Sequence, residues 1–564
     1  MRLPTLQGGQ RNCWDRGGAC TCEHLVCRAL WPLTQLCRVS RQAYDDVRID
    51  IGEGVYFVIQ EDDFLTTYSI PNPVELIGEW TVPSEAESLK ISGSLSWSSQ
   101  RATLALQDSF SPLRGAVHAG DLRTYPVVHG VTTGSEYVSV LQASSAGTGM
   151  SLGDAGVRQS ERFVSSWVIV GAHVFQESLY SEVAVRIPGL QLWLCRSCLT
   201  HTLATPAEGV PFSLNYRLEK IPEEKFEVPS ISATLVFGHG WSTSGNARSN
   251  ISIQTSAYLR IRPSTPKDLE WYFEQIGKVT TLLSLASGSA MAPDQVSAKL
   301  ADDGLNVQIL VALREAKYCS FQNHHDFYML RDNAGVALQQ IVKRWFEIYD
   351  SVAMPSQLAL SVLNSEKLWL HVEFLSLMQA LEGLHRAILP GLYATVEQYE
   401  GIRQALSNAI PQHIASDHKD ALRARIKYGN EISLRKRLAA LVERLPVEMR
   451  KHILGGDGVV PQSWVATRNY YTHWDEASKG VVLDGVEMHR AHVRMRHLLR
   501  ALYLSLIGIP DIAIANSLQN TCNESQYLMQ LNNMENRREN PTSDAGAILQ
   551  INVNDVASPD ESLS

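Results

Sequence analysis

The sequence predicts an α+β multidomain protein in which a β-rich half, sandwich-like or barrel-like, precedes an all-α helical bundle. Short runs rich in Val, Ile, Tyr, Phe and Thr, punctuated by Gly, Pro, Asn and Ser, occupy residues 41–264. Leucine-rich amphipathic stripes separated by short loops take over from about residue 334. Charge changes sign between the halves. Residues 41–90 hold eleven Asp/Glu and three Lys/Arg, whereas 419–451 hold ten Lys/Arg and four Asp/Glu.

The strand signals fall at 55–59, 137–141, 167–170, 234–237 and 251–261, with one more at 306–313. A helix begins after Pro266, where Leu269, Trp271, Phe273, Ile276 and Leu282 lie near 3.6-residue spacing. Val336, Leu338, Ile341, Trp345 and Phe346 mark the next. A long helix covers 369–389, with Leu370, Val372, Phe374, Leu377, Leu381 and Leu384 on its apolar stripe. Further helices are expected at 398–409, 417–427, 432–445, 464–475 and 483–508. The domains expected are a leader at 1–40, a β-rich domain at 41–330, a helical domain at 331–512 and a flexible polar tail at 513–564. The tail assignment rests on nine asparagines between 516 and 554.

Composition bounds the function. With 45% apolar and 19% charged residues the chain has material for real cores. A net charge of −9 excludes a globally basic nucleic-acid coat but not a local basic face. No run of about 18 apolar residues predicts a membrane span; the longest candidate, 502–515, is broken by Pro510 and Asp511. Five of the nine cysteines precede residue 40, and the rest of the chain reads as cytoplasmic in its sparse cysteine use. Arg11, Asp15, Arg16 and Glu23 argue against a signal peptide. The opening reads as an unstructured leader, or as translation upstream of the true start. Zinc on Cys13, Cys20, Cys22 and Cys27 is the alternative, at spacings unlike a zinc ribbon or finger.

The chemistry concentrates at Trp464-Val465-Ala466-Thr467-Arg468-Asn469-Tyr470-Tyr471-Thr472-His473-Trp474. Arg468 is permanently cationic and suited to holding a phosphate. His473 can move a proton in either direction near neutral pH. The two suffice for attack by an RNA 2′-hydroxyl on its own phosphodiester, a scheme that calls for no metal and no cofactor. An arginine followed by a histidine after four to six intervening residues is unspecific, since Arg123/His129, Arg196/His201 and Arg490/His497 also satisfy that range. Only Arg468/His473 combines a polar residue after the arginine with a place in the helical half. Five helical residues mean a rise of about 7.5 Å and a rotation of about 140°, so the pair does not share one face. A site shared across a twofold axis would resolve this. The competing interpretation is an Arg and a His that cap or pack inside the bundle.

On these residues, region 364–512 resembles a HEPN domain, the helical ribonuclease family of prokaryotic defence and toxin systems. Arg468, Asn469 and His473 match its Arg–polar–x3–His motif, and Glu382 in Leu381-Glu382-Gly383-Leu384-His385-Arg386 matches a common acidic position that orients the motif. The whole layout resembles ApeA-type anti-phage proteins. Residues 137–141, 187–193, Leu269-Glu270-Trp271 and 282–285 carry the β-rich part of that likeness. It covers 41–512 and leaves out 1–40. The resemblance implies a metal-independent endoribonuclease active as a homodimer or higher homo-oligomer. It would leave 2′,3′-cyclic phosphate ends and cut host RNA, often tRNA. The β-rich domain would sense infection, through a phage-derived protein for instance, and restrain the nuclease; the acidic opening at 41–90 would mask the basic helical surface. No membrane partner is expected. The rival is a catalytically silent dimeric RNA-binding module joined to a ligand sensor.

Other constellations favour simpler interpretations. Cys195, Cys198 and His201 lack an obvious fourth metal ligand, and a strand at 192–199 would point the two cysteines apart. His489, His492 and His497, with Arg490, Arg494, Arg496 and Arg500 among them, suggest an outer basic face, either solvated or polyanion-binding. His324-His325-Asp326 reads as a loop and Glu61-Asp62-Asp63 as a solvated turn. Gly238-His239-Gly240 reads as a loop without the Lys-Ser/Thr of a phosphate-binding motif.

Overall fold

The computed structural model describes strands at 47–50 and 56–59 and then residues 74–539, apart from 84–88, 99–100, 111–122, 154–155, 205–212, 247–249, 289, 313–323, 364–367, 475 and 520–521. The cysteines before residue 40, Glu61-Asp62-Asp63 and much of the acidic opening lie outside the described residues. The chain forms two compact units, Met1–Asp62 and Asp63–Ser564. In the first, β1 (Val47–Asp50) pairs antiparallel with β2 (Tyr56–Ile59).

The second unit opens with a closed six-stranded antiparallel barrel. Its strands are β3 (Val74–Thr81), β4 (Ile91–Ser98), β5 (Arg101–Leu106), β6 (Thr124–Thr132), β7 (Tyr137–Gly153) and β8 (Gly156–Ser165). They run in the order β6-β3-β4-β5-β8-β7, and β7 closes the ring by pairing with both β6 and β8. Alternation makes this possible: in β4, Ile91, Gly93, Leu95 and Trp97 are buried while Ser92, Ser96 and Ser98 are exposed. Trp80, Leu95, Leu104, Val128, Val140 and Phe163 fill the interior. Gly130 must stay small, because a Cβ there would stand 2.4 Å from the Trp80 ring.

β7 is shared between two structures. Val138–Leu141, paired with β6 in the barrel, also pair with β9 (Trp167–Val170); from Ser144 onward the same edge of β7 pairs with β8, with a register shift between Ser145 and Gly147. From β9 the sheet continues through β17, β16, β10, β15, β14 and β13. In chain order these are β10 (Tyr180–Arg186), β13 (Glu224–Val228), β14 (Ala233–Asn246), β15 (Asn250–Pro263), β16 (Gln295–Leu300) and β17 (Asn306–Val311). A one-turn helix α1 (Leu190–Trp193) and a separate hairpin, β11 (Leu199–Ala204) with β12 (Ser213–Leu218), follow β10. Two expectations fail here. Residues 192–198 are helix, turn and irregular chain rather than strand, with Cys195 at φ +55° and β11 starting only at Leu199, and Gly238-His239-Gly240 sit inside β14 rather than in a loop.

Helix α2 (Leu269–Ser287) joins the halves. Asp268 caps it by accepting from the Trp271 N–H at 2.8 Å, and Gly288 ends it at φ +82°. Its back half, 281–287, is buried all round. The bundle comprises α3 (Leu338–Leu363), α4 (Leu370–Ile388), α5 (Val396–Asn408), α6 (Ser416–Lys427), α7 (Leu434–Val442), α8 (Val447–Leu454), α9 (Gln462–His473), α10 (Gly485–Leu506), α11 (Asp511–Leu518) and α12 (Asn523–Glu539). One hydrophobic core runs unbroken from the sheet through α2 into the bundle. Trp345 of α3 donates to the Lys278 carbonyl at 2.7 Å, and Arg500 of α10 donates to the Gly288 carbonyl at 2.9 Å.

The segment from 513 is no flexible tail as far as 539. α11 and α12 pack on the bundle with Ile514, Leu518, Leu528 and Leu531 buried. The same packing overturns the outer basic face on α10, where His492, Arg494, His497 and Arg500 are all buried. α12 covers them. Glu524 pairs with both Arg496 and Arg500, and Arg494 donates to Glu535 at 2.6 Å and Asn532 at 2.9 Å.

Candidate functional site

The site grows from α4 and α9. On α4, Phe374, Leu377, Met378, Leu381 and Leu384 form the buried stripe, which leaves Glu382 at its edge. Gly383 faces Pro355 of α3, where a Cβ would stand at ordinary van der Waals distance, 3.4 Å. On α9, Trp464, Val465, Ala466 and Thr467 are buried. Thr467 Oγ1 accepts from the Leu483 N–H at 2.9 Å and ties α9 to the chain entering α10. The next turn therefore emerges toward solvent with its polar residues in sequence.

Arg468 is half-buried there. Its guanidinium donates to Glu382 Oε2 at 3.3 Å and to Asn469 Oδ1 at 3.3 Å. Thr472 Oγ1 donates to the Arg468 carbonyl at 2.7 Å. His473 is exposed and is the last residue of α9. Trp474 follows at φ +53°, and its N–H donates to the Tyr470 carbonyl at 2.6 Å. All four residues expected at the site thus lie on these two helices. Glu382, Arg468 and Asn469 are in mutual contact through Arg468, while His473 stands one turn further on.

Behind Glu382 lies a chain of charge that sequence reasoning missed. Arg386 donates to Glu382 Oε1 at 3.1 Å and pairs with Glu431 at 2.8 Å. Glu431 also pairs with Arg437 at 2.9 Å, and Arg437 is buried against His385 Nδ1 at 3.3 Å. Burial first, then the Arg437 and Arg386 charges, hold His385 below its ordinary pKa, so it meets Arg437 as a neutral acceptor. The four-residue spacing of Glu382 and Arg386 was a visible signal. Nothing local marks Glu431 or Arg437.

The basic stretch 419–451 is divided. Arg423, Arg425, Lys427, Arg435 and Lys436 are exposed, but Arg437 serves the interior. Cys195, Cys198 and His201 do not converge. Cys198 is buried near the Gly240 carbonyl and His201 is exposed on β11. Among the described residues no three His, Cys, Asp or Glu are grouped to hold a metal ion, and no helix is long and apolar enough to cross a membrane.

Residues 75–345 match the family model described as ApeA N-terminal domain 1, and residues 375–511 match the one described as Apea-like HEPN. No curated protein and no solved structure matches the chain significantly.

Proposed function

The chain belongs to the ApeA-type proteins, anti-phage defence proteins of the HEPN nuclease type, and from that premise we propose that it is a metal-independent endoribonuclease that cuts host RNA, tRNA included, once infection is sensed. The supporting observation is the seating of Arg468 between Glu382 and Asn469, with His473 exposed at the end of the same helix.

In this reading Arg468 exchanges part of its hold on Glu382 for a phosphate oxygen and neutralises the charge that grows on phosphorus. Asn469 keeps the guanidinium oriented. The RNA 2′-oxygen bonds to phosphorus and loses its proton. The bond from phosphorus to the 5′-oxygen breaks and that oxygen gains a proton. His473 carries one of these transfers, and a second copy of the chain brings the other histidine across a twofold axis. The products are a 2′,3′-cyclic phosphate and a 5′-hydroxyl. The β-rich half receives the infection signal, a phage-derived protein being the trigger proposed.

Small RNA from cells making the wild type or His473→Ala, before and after infection, tests this. Discrete fragments with cyclic-phosphate ends only in infected wild-type cells are expected. Intact RNA in both strains with resistance retained by the mutant would overturn it in favour of a silent RNA-binding module.

A further inference from the structure

Beside the motif lies a run of aromatic rings, its two tryptophans exposed and His371, Tyr470 and Tyr471 half-buried. His371 of α4 stacks on Tyr471 of α9, with centroids 5.7 Å apart and planes 16° from parallel. Trp369 stands 6.3 Å from His371, and Trp474 stands 6.5 Å from Tyr471 and 6.1 Å from Tyr470. Trp369 is 78% exposed and Trp474 70% exposed. The indoles of the cores behave otherwise. Trp80, Trp193 and Trp345 are buried, and each donates its ring N–H to a backbone carbonyl.

Trp474 is the telling residue. It closes α9 in the left-handed region, φ +53° and ψ +39°, a position where glycine carries no steric penalty. A bulky side chain there costs about 1 kcal/mol, and with most of its surface in water Trp474 recovers little by burial. It directly follows His473. Strain held at such a point belongs with function rather than packing.

We propose that these rings are a stacking subsite for unpaired nucleobases flanking the scissile phosphate, so that the substrate class is single-stranded RNA, a loop or an end, and not duplex. The inference rests on the reading of Arg468 and His473 as an RNA-cleaving pair. Charge and shape agree with it. The guanidinium takes the phosphate, and flat rings with polar edges (indole, imidazole, phenol) take bases whose faces are apolar and whose rims are polar. In an A-form duplex the bases are stacked on each other and their faces are closed to a protein.

The test uses the full chain carrying His473→Ala, so that RNA is not consumed. It is titrated by fluorescence anisotropy with a short labelled single-stranded oligoribonucleotide, and with the same strand annealed to its complement. Adding Trp474→Ala or Trp369→Ala is expected to weaken single-strand binding about 10-fold each, within what one stacked base supplies. Trp474→Phe retains most of the affinity, and duplex binding stays unchanged. Equal losses on single strand and duplex, or no loss, overturn the subsite. So does unchanged RNA affinity with a lowered sedimentation coefficient, which would make the rings a contact between copies. Cleavage in infected cells separates the two readings. If wild type and tryptophan variants cut RNA equally well, the nuclease stands and the subsite falls. If the wild type neither binds nor cuts RNA, the nuclease reading itself falls.

Discussion

Arg468 crosses from α9 to α4 to reach Glu382 at 3.3 Å, and the other oxygen of that carboxylate is held by Arg386 at 3.1 Å. Glu382 is therefore clamped between two guanidinium groups and cannot follow Arg468 if it moves.

Glu382→Ala releases Arg468 from its fixed direction. Cleavage is expected to fall about 100-fold, the scale of a small misplacement at a reacting centre. Both partners are partly solvated, so stability should change by less than about 1 kcal/mol. Single-turnover cleavage and a urea midpoint measured on the same preparation check both halves. A parallel collapse of fold and activity would contradict the positioning role.

Arg500→Met acts on the fold. The side chain is fully buried, paired with Glu524, bonded to the Gly288 carbonyl and set 5.3 Å over the Tyr328 ring. Glu524 keeps Arg496 as a partner, but the Gly288 carbonyl loses its donor, at a cost of about 1–3 kcal/mol. Guanidinium denaturation measures it. A change within about 0.5 kcal/mol, typical of a surface substitution, would show that Arg500 holds nothing.

Acid should weaken the protein before its carboxylates titrate. Burial first, then the charges of Arg496, His489 and Arg500, hold His492 down to about 3. Burial, Arg500 and Arg496 hold His497 well below its ordinary value. Glu373 stands 3.4 Å from His492, but burial pushes its carboxyl up, so the pair does not rescue the imidazolium. The unfolded chain takes up protons near pH 6.5 that the folded chain refuses. Stability is thus full above that pH and falls as pH drops toward 3, by about 1.4 kcal/mol per pH unit for each such histidine. Urea midpoints between pH 7 and 5 should decline, and less steeply in His492→Gln. Equal slopes for the two proteins would contradict the assignment.

Gly130→Ala should damage the barrel. The added methyl meets the Trp80 ring inside van der Waals distance. Overpacking of this kind costs about 1–3 kcal/mol. Thermal unfolding reads it, and an unchanged melting temperature would mean that the barrel wall yields freely.

Much of this was legible in the sequence, and the failures share a cause. The strand at 167–170 and the helices around 369–389, 464–475 and 483–508 follow from local periodicity, and the structure places elements there. Arg468, Asn469 and His473 were legible as a motif and Glu382 only through the family resemblance, and the four share two neighbouring helices. α12 was not legible. Its asparagines and glutamates read as solvated polarity, yet Glu524, Asn532 and Glu535 answer arginines buried on α10. The arginines in turn looked like a surface because their cover looked like a tail. Each error followed from the other, since complementarity between residues about thirty positions apart leaves no periodic trace. The link from Glu431 to Glu382 through Arg386 escaped for the same reason.

The unbroken core through α2 has a thermodynamic consequence. Cutting the chain near residue 331 would not liberate a self-sufficient helical domain. The freed bundle would bare Trp345, whose ring N–H reaches the Lys278 carbonyl of α2, and would take Arg500 from the Gly288 carbonyl. Barrel-flanking sheet and helices should therefore melt together, as one calorimetric peak whose van't Hoff and measured enthalpies agree. Two separate peaks would show that the seam along α2 is weaker than its packing. The β-rich half and the helical half, however different their grammar, share one interior, and any change that passes between them must travel through a single solid.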